Sequence, residues 1–207
     1  MKKPVKYGLG ILAVLLVLFF SFDIKKLDEI ETSGADKFDA TEYAADFFTK
    51  KLPLVIDQAP DIGTLTKLLQ NDPANAFEQF GHKLGISKTW YFMVRGEGTI
   101  DSVEEENLVV TTNSGFRTRV ATSFIFGNAV RDGSGAVDID EFLNMTDFNN
   151  VSIAINDIVK NEVVPPLREK AKPGMKITFA GAFEIKEDDI DIQSTRIIPV
   201  AAEIFNV

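Results

Sequence analysis

The stretch Thr89–Val103, TWYFMVRGEGTIDSV, decides the fold. Its β-branched and aromatic residues predict one long β-strand. Gly96 and Gly98 interrupt the middle of this stretch, and glycines inside a strand are typical of bulges or of a close backbone approach. We therefore expect a strongly bent strand that carries bulges at these two glycines.

The residues that follow predict four more strands and one helix. LVVTT and RTRVATSFIF predict the second and third strands, and MKITFAGAFEI and RIIPVAAEIF predict the fourth and fifth. Between the third and fourth strands, apolar residues recur at helical spacing over Val151–Val163. We expect this helix to begin near Asn149 or Asn150 and to end at Pro165–Pro166.

The order of three strands, one helix and two strands is the pattern of the five-stranded OB barrel. The sequence therefore predicts an α+β fold in which residues 89–207 form an OB-like β-barrel with a helix between strands 3 and 4. An unrelated α+β sandwich is the competing fold, because these periodicities exclude it only weakly.

Residues 39–88 precede the barrel and predict a helical segment packed on it. Asp39–Glu42, DATE, has the spacing of a capping box and marks a helix start. Pro53 is expected to end that helix. Two short helices follow, and the second opens with Asp72 as its cap and Pro73 in its first turn.

The N-terminus predicts a membrane anchor. Residues 1–22 place lysines before the uncharged apolar run YGLGILAVLLVLFFSF, the layout of a signal anchor or transmembrane helix. No small-x-small cleavage site follows this run, so the anchor is expected to stay uncleaved. Residues 23–38 are then expected to be a tether, and the C-terminal domain is expected to be exported as part of a single-pass protein of the cytoplasmic membrane.

The composition excludes several classes of function. Of the 22 basic residues only Lys2, Lys3 and Lys6 precede the end of the apolar run, whereas all 31 acidic residues follow it, so the exported part carries a net charge of −12. Such a surface repels phosphate backbones, and we expect no nucleic-acid binding. The absence of cysteine removes disulfides, zinc-thiolate sites and thiol nucleophiles.

Arg131–Phe142, RDGSGAVDIDEF, resembles the calcium loop of an EF-hand. The first ligand position of that loop is Val130, which offers no oxygen, and a predicted strand ending in SFIF precedes it where a helix is required. We therefore expect no metal site. The same stretch predicts a turn at DGSG and an extended segment at AVDIDEF, with Val137 and Ile139 pointing inward.

Arg131, Asp132 and Asn144 form the polar cluster most suited to binding a ligand or partner. The alternative is an internal salt bridge and a helix-capping amide that hold the barrel mouth. His82, the single histidine, is expected at a helix end in a capping or surface role, and the GEG around Glu97 is better explained by bulge glycines than by ligand binding. No catalytic constellation emerges, so we expect neither an enzyme nor a cofactor.

A family resemblance rests on several motifs in order: YAADFF, LP, YFMVRGEG, FGNAVRDG, FLN, VSIAIND and ITFAGAF followed by IIPVAAEI. Over residues 24–205 the chain resembles an uncharacterised family of predicted periplasmic lipoproteins, often encoded beside sugar ABC transporters. The resemblance implies export, membrane tethering and no established activity. The chain departs from that pattern at Ser21–Phe22, where a lipobox cysteine would stand, so a transmembrane helix is expected to replace the acyl anchor.

Two functions from different classes remain open. The first is a membrane-anchored binding or accessory module that presents its barrel to a sugar, a peptide or a transporter. The second is a structural or envelope-assembly protein without a small ligand. A deep pocket lined by Arg131, Asp132 and Asn144 would favour the first, and a flat apolar patch on residues 39–85 would favour the second.

Overall fold

The computed structural model describes residues 38–192 and 195–205. The expected anchor, residues 1–22, and nearly all of the expected tether lie outside the described residues. Within the described ranges, no helix combines the length and the apolar character that crossing a bilayer requires.

Five strands close into a barrel, as the sequence predicts. The strands of the sheet are β1 (Gly81–His82), β2 (Thr89–Val103), β3 (Asn107–Thr112), β4 (Arg117–Ala121), β5 (Lys176–Lys186) and β6 (Arg196–Phe205). The strand order is β2-β3-β4-β6-β5, and β5 pairs back with β2. All of these pairings are antiparallel except the one between β4 and β6. The two-residue β1 extends the sheet on the edge of β2.

The glycines of β2 serve close packing, so the expectation of bulges at Gly96 and Gly98 is wrong. The pairing of β2 with β5 runs without interruption past both residues, and the irregularity in the β2–β3 ladder falls at Asp101. A Cβ atom at Gly96 would collide with the ring of Phe179, and one at Gly98 would collide with the carbonyl oxygen of Thr111. Glycine is required here because strands on both sides crowd the backbone.

Four helices precede the barrel, and two of them start at the predicted caps. The Asp39 carboxylate accepts hydrogen bonds from the backbone N–H groups of Thr41 and Glu42, and Asp72 caps the fourth helix in the same way. The third helix places Ile62, Leu65 and Leu69 on one buried face. The helices are α1 (Ala40–Asp46), α2 (Leu52–Gln58), α3 (Ile62–Asn71) and α4 (Pro73–Phe80).

Pro53 and Pro165–Pro166, which were expected to end helices, do not end them. A π-helical segment, Phe47–Lys51, joins α1 to α2, and the helix continues past Pro53 to Gln58. The second such segment, Val159–Val163, carries the later helix past Pro165–Pro166. Proline lacks an N–H and clashes with the preceding helical turn, and a widened turn just before it relieves both problems.

The segment between β4 and β5 holds three helices rather than one. They are α5 (Ala129–Gly133), α6 (Met145–Ile158) and α7 (Val164–Lys170), with a 3-10 turn at Ile139–Glu141. The helix expected to begin near Asn149 or Asn150 begins at Met145, because Asn144 caps it.

The two extended segments predicted in this region are wrong. Strand β4 ends at Ala121, because Phe124 in SFIF adopts a left-handed backbone conformation with φ 49° that a strand cannot contain. In AVDIDEF, the Asp138 carboxylate caps a turn by accepting from the N–H of Asp140. Val137 is buried as expected, whereas Ile139 is exposed.

Candidate functional site

Arg131 and Asp132 form a buried ion pair at the end of α5. Only 1% of Arg131 and 6% of Asp132 are solvent-accessible. Arg131 Nε donates to Asp132 Oδ1 at 2.6 Å and Nη2 donates to Oδ2 at 3.2 Å. This two-pronged geometry is the strong form of an arginine–carboxylate contact.

The same arginine fastens α5 to α6. Its Nη1 donates to the carbonyl oxygen of Phe148 at 2.9 Å and to Asn149 Oδ1 at 3.4 Å. Its guanidinium carbon lies 3.6 Å from the centre of the Phe148 ring, a cation–π contact. The charge of Arg131 is therefore neutralised inside the fold, and the residue orients the first turns of α6.

Asn144 does not join this pair. Its Oδ1 accepts from the backbone N–H of Asp147 at 2.9 Å, and its Nδ2 donates to Asp147 Oδ2 at 2.8 Å. The side chain is exposed at the start of α6, in the capping role named as the alternative. The structure thus brings two of the three predicted site residues together, and a binding role for the three stays a prediction.

The loop that resembles an EF-hand uses its oxygens internally. Both Asp132 oxygens bond to Arg131, and Ser134 Oγ donates to the Arg131 carbonyl at 2.6 Å. Among residues 38–192 and 195–205, no group of three or more His, Asp or Glu side chains is placed to hold a metal. The absence of calcium binding stays a prediction, to be tested with added calcium.

The lone histidine lies beside this loop. His82 lies in β1, two residues after α4 ends at Phe80, and is exposed, as expected of a residue near a helix end. Its ring approaches Gly135 so closely that a Cβ atom there would collide with it. Burial of the ring lowers the pKa of His82, because the charged imidazolium loses hydration.

A small pocket opens next to the contact of Arg131 with α6, between α6 and the loop before α5. Its volume is about 240 Å³. We call it the polar pocket. Its polar lining comes from Asn128, Asn149, Ser152, Asn156 and Lys160, and its apolar lining comes from Ile125, Phe126, Gly127 and Ile153.

Several polar atoms of the polar pocket have unused hydrogen-bonding capacity. Ser152 is 5% exposed, and its Oγ has no hydrogen-bond partner in the described part of the chain. Asn156 Nδ2 donates to the Gly127 carbonyl at 2.8 Å. The side-chain oxygen of Asn156, Oδ1, accepts no hydrogen bond from the described residues. Asn149 accepts from Arg131, which leaves its amide N–H groups available.

The rim of the polar pocket is a loop with two exposed aromatic residues, and hydrogen bonds from Arg196 hold its backbone. Phe124 and Phe126 are 60% and 68% exposed. Arg196 of β6 donates through Nη2 to the carbonyl oxygens of Ser123 and Phe124. Backbone in a rarely populated conformation, such as that of Phe124, persists only where neighbours enforce it, and such positions cluster at binding sites.

The polar pocket was not predicted from the sequence, although a signal for it was present. Asn149, Ser152 and Asn156 follow the spacing i, i+3, i+7, so they form one stripe along α6. This stripe borders the apolar face from which the helix was predicted. Polar residues adjoining the buried face of a helix are candidates for a half-buried site.

The closed five-stranded barrel with helices between its third and fourth strands defines an OB-fold protein. The chain belongs to the predicted periplasmic lipoprotein family (DUF2291), whose sequence model matches residues 12–203. A crystal structure of an OB-fold protein from Thermotoga maritima is similar, with a TM-score of 0.72 at 22% sequence identity, and the match covers 82% of this chain and 100% of that one. This likeness concerns the fold. A comparison with curated proteins finds no match.

Proposed function

We propose that this chain is a non-enzymatic, extracytoplasmic binding or accessory module whose polar pocket takes a small uncharged ligand that carries hydroxyl groups, of the sugar class. The observation that carries this proposal is Ser152 Oγ, a buried hydroxyl with no partner in the described residues. Leaving such a group unsatisfied is costly, and a ligand hydroxyl would satisfy it.

The other lining groups support the same ligand chemistry. Sugar hydroxyls both donate and accept, and the pocket offers an amide carbonyl from Asn156 and amide N–H groups from Asn149. The exposed ring of Phe126 provides an apolar surface for the C–H face of a sugar. Few polar groups on an apolar wall are typical of small-molecule sites.

The charge of the pocket favours an uncharged ligand. Lys160 is the charged side chain among the lining residues, and its Nζ is already paired with Asp157 Oδ1 at 3.0 Å. An anionic ligand would compete with Asp157, and a cationic one would be repelled by Lys160.

The test is thermal unfolding of the full-length chain in detergent with glucose, galactose, ribose, xylose or myo-inositol added. At least one sugar is expected to raise the melting temperature, since a ligand that binds only the folded state stabilises it. Ser152→Val should abolish this rise, whereas Thr146→Val, which removes an exposed hydroxyl from the same helix, should preserve it. If none of the five raises the melting temperature, the proposal of a sugar-class ligand is withdrawn.

We further propose that residues 1–22 remain as an uncleaved transmembrane anchor, with residues 23–38 as the tether. A C-terminal reporter should then be active only outside the cytoplasm, and the mature protein should begin at Met1. N-terminal sequencing that starts near Asp23 would rule out the uncleaved anchor. Pull-down from crosslinked membranes tests whether a sugar ABC transporter is the partner.

A structural or envelope-assembly role is the second candidate, and exposed apolar side chains favour it. An apolar patch on residues 39–85 would favour this role, but Leu54 is the single strongly exposed large apolar side chain among the described residues of that range. The other exposed apolar side chains lie near or on α6: Phe124, Phe126, Leu143, Met145 and Ile153. Phe124→Ser with Phe126→Ser should abolish the crosslinked capture if this surface docks a protein, and should leave it unchanged if it does not.

A further inference from the structure

A second and larger cleft lies on the outer face of the barrel, across β2, β5 and β6. Its volume is about 730 Å³. We call it the outer groove. Ile56 of α2 and Asp61 before α3 line one side, and its remaining charged or polar lining residues are Arg95, Glu97, Asn113, Thr178 and Glu203.

The strand register arranges these side chains in two rows. Arg95 of β2 pairs with Ala180 of β5, which pairs with Ala201 of β6. Two residues further along, Glu97 pairs with Thr178, which pairs with Glu203. Alternate residues of a strand share one face, so the rows run side by side across the floor of the groove. The first row carries the positive charge of Arg95 beside two alanines. The second row carries the carboxylates of Glu97 and Glu203 on either side of the Thr178 hydroxyl.

The charges of the two rows are available to a ligand. Within the described ranges, Arg95 has no ion-pair partner, although Asp61 and Glu97 line the same cleft. Glu203 likewise makes no hydrogen bond there. Glu97 is steadied by Asn113, whose Nδ2 donates to Glu97 Oε2 at 3.3 Å. Ala180 and Ala201 leave the space above the floor unfilled.

The backbone under both rows is fixed. The N–H of Arg95 donates to the Pro60 carbonyl at 3.0 Å, and the N–H of Asn113 donates to the Glu97 carbonyl at 2.8 Å. A fixed backbone means that binding a ligand orders side-chain rotamers only, with no further cost for ordering the chain.

We propose that the outer groove binds a short peptide with free termini, of dipeptide length. The two rows lie about 7 Å apart along the strands, which is about the span of two extended residues. The peptide carboxylate would lie on the Arg95 guanidinium, which recognises carboxylates with two parallel bonds. The peptide ammonium would lie above Thr178, between Glu97 and Glu203. This inference does not depend on the polar pocket.

Equilibrium dialysis of labelled glycylglycine against the full-length chain in detergent tests the proposal. Glycylglycine is expected to bind, while N-acetylglycine, which lacks the ammonium, and glycinamide, which lacks the carboxylate, are not. Arg95→Ala and Glu203→Gln should each weaken glycylglycine binding about tenfold or more, as loss of a charge-assisted hydrogen bond does. Glu184→Gln, an exposed carboxylate on β5 outside the groove, should leave binding unchanged.

Three results would overturn the proposal: no retention of glycylglycine, equal binding of all three compounds, or binding that neither Arg95→Ala nor Glu203→Gln weakens. Both substituted residues are exposed, so these variants should fold, and thermal melts verify it. Ser152→Val serves as the independence control, because it should leave glycylglycine binding intact whether or not the polar pocket binds a sugar.

Discussion

Two buried polar groups on neighbouring helices, the Arg131–Asp132 pair of α5 and the Ser152 hydroxyl of α6, differ in how their hydrogen bonds are satisfied. Arg131 donates to Asp132 and to the Phe148 carbonyl of α6, whereas Ser152 Oγ, on that same helix, has no partner among the described residues. Burial alone therefore does not distinguish a structural polar group from a binding one. The distinction lies in whether the hydrogen bonds are already made inside the fold.

The largest effect is expected at the satisfied pair. Arg131→Ala leaves Asp132 buried without its counter-charge, so the free energy of unfolding should fall by about 3–5 kcal/mol. Urea denaturation measures it. The control is Arg117→Ala, whose contact with Asp101 is exposed and 3.6 Å long and should contribute less than about 1 kcal/mol.

A double variant sharpens the same point. Replacing the pair by apolar residues, Arg131→Met with Asp132→Leu, removes both charges together and should recover most of the lost stability. If Arg131→Ala left the free energy of unfolding nearly unchanged, the pair would be accessible to solvent. The pair would then no longer differ from Ser152 as a buried group whose hydrogen bonds are satisfied.

An intermediate effect is expected at Asn144, which the sequence analysis grouped with the pair. Because its side chain caps α6 at the surface, Asn144→Ala should lower the free energy of unfolding by about 1 kcal/mol. Asn144→Ser should restore most of this loss, since serine caps equally well. A loss as large as that of Arg131→Ala would show that Asn144 belongs to the buried network after all.

A smaller effect of opposite sign is expected at the unsatisfied hydroxyl. Ser152→Ala removes a buried polar atom that lacks a partner, so stability should stay unchanged or rise by no more than about 1 kcal/mol. Urea denaturation of Ser152→Ala beside Thr146→Ala, an exposed hydroxyl on the same helix, provides the measurement. A clear loss of stability would mean that Ser152 makes an internal bond and that the two polar groups are alike.

The smallest effect concerns pH and His82. Burial lowers the pKa of this histidine in the folded state, so between that pKa and the unfolded value of about 6.5 the unfolded chain binds more protons. Stability should therefore fall as the pH drops below about 6.5, and only slightly, because the ring is partly exposed and solvent screens it. His82→Asn should flatten this part of the profile; an identical slope in both proteins would exclude His82 as its source.

Much of the barrel could be predicted from the sequence because strands are marked locally, by the alternation of apolar and polar residues. The stretch Thr89–Val103 and the two C-terminal strands match their predicted bounds closely, since each combines β-branched residues with flanking turn signals. The segment SFIF has the same composition and is not a strand. Its conformation depends on Arg196, which is distant in sequence.

The helix breaks and the site were less predictable for a related reason. Pro53 and Pro165 carry a strong local stop signal, yet a π-helical segment before each one lets the helix continue, and each of these segments contains one buried residue, Phe47 or Val159. At the site, the pairing of Arg131 with Asp132 followed from adjacency. Whether Ser152 finds a partner depends on which loop packs against α6, and no pattern within that helix specifies the loop.

The closure of the barrel between β2 and β5 has a consequence for how the chain folds. Thr89 pairs with Lys186, so one side of the longest strand has no neighbour until nearly the whole chain has been synthesised. Pairings this distant in sequence form slowly, and an unpaired strand edge invites association with other chains in the meantime. Truncation before β5 should therefore leave an aggregating product rather than a smaller folded domain.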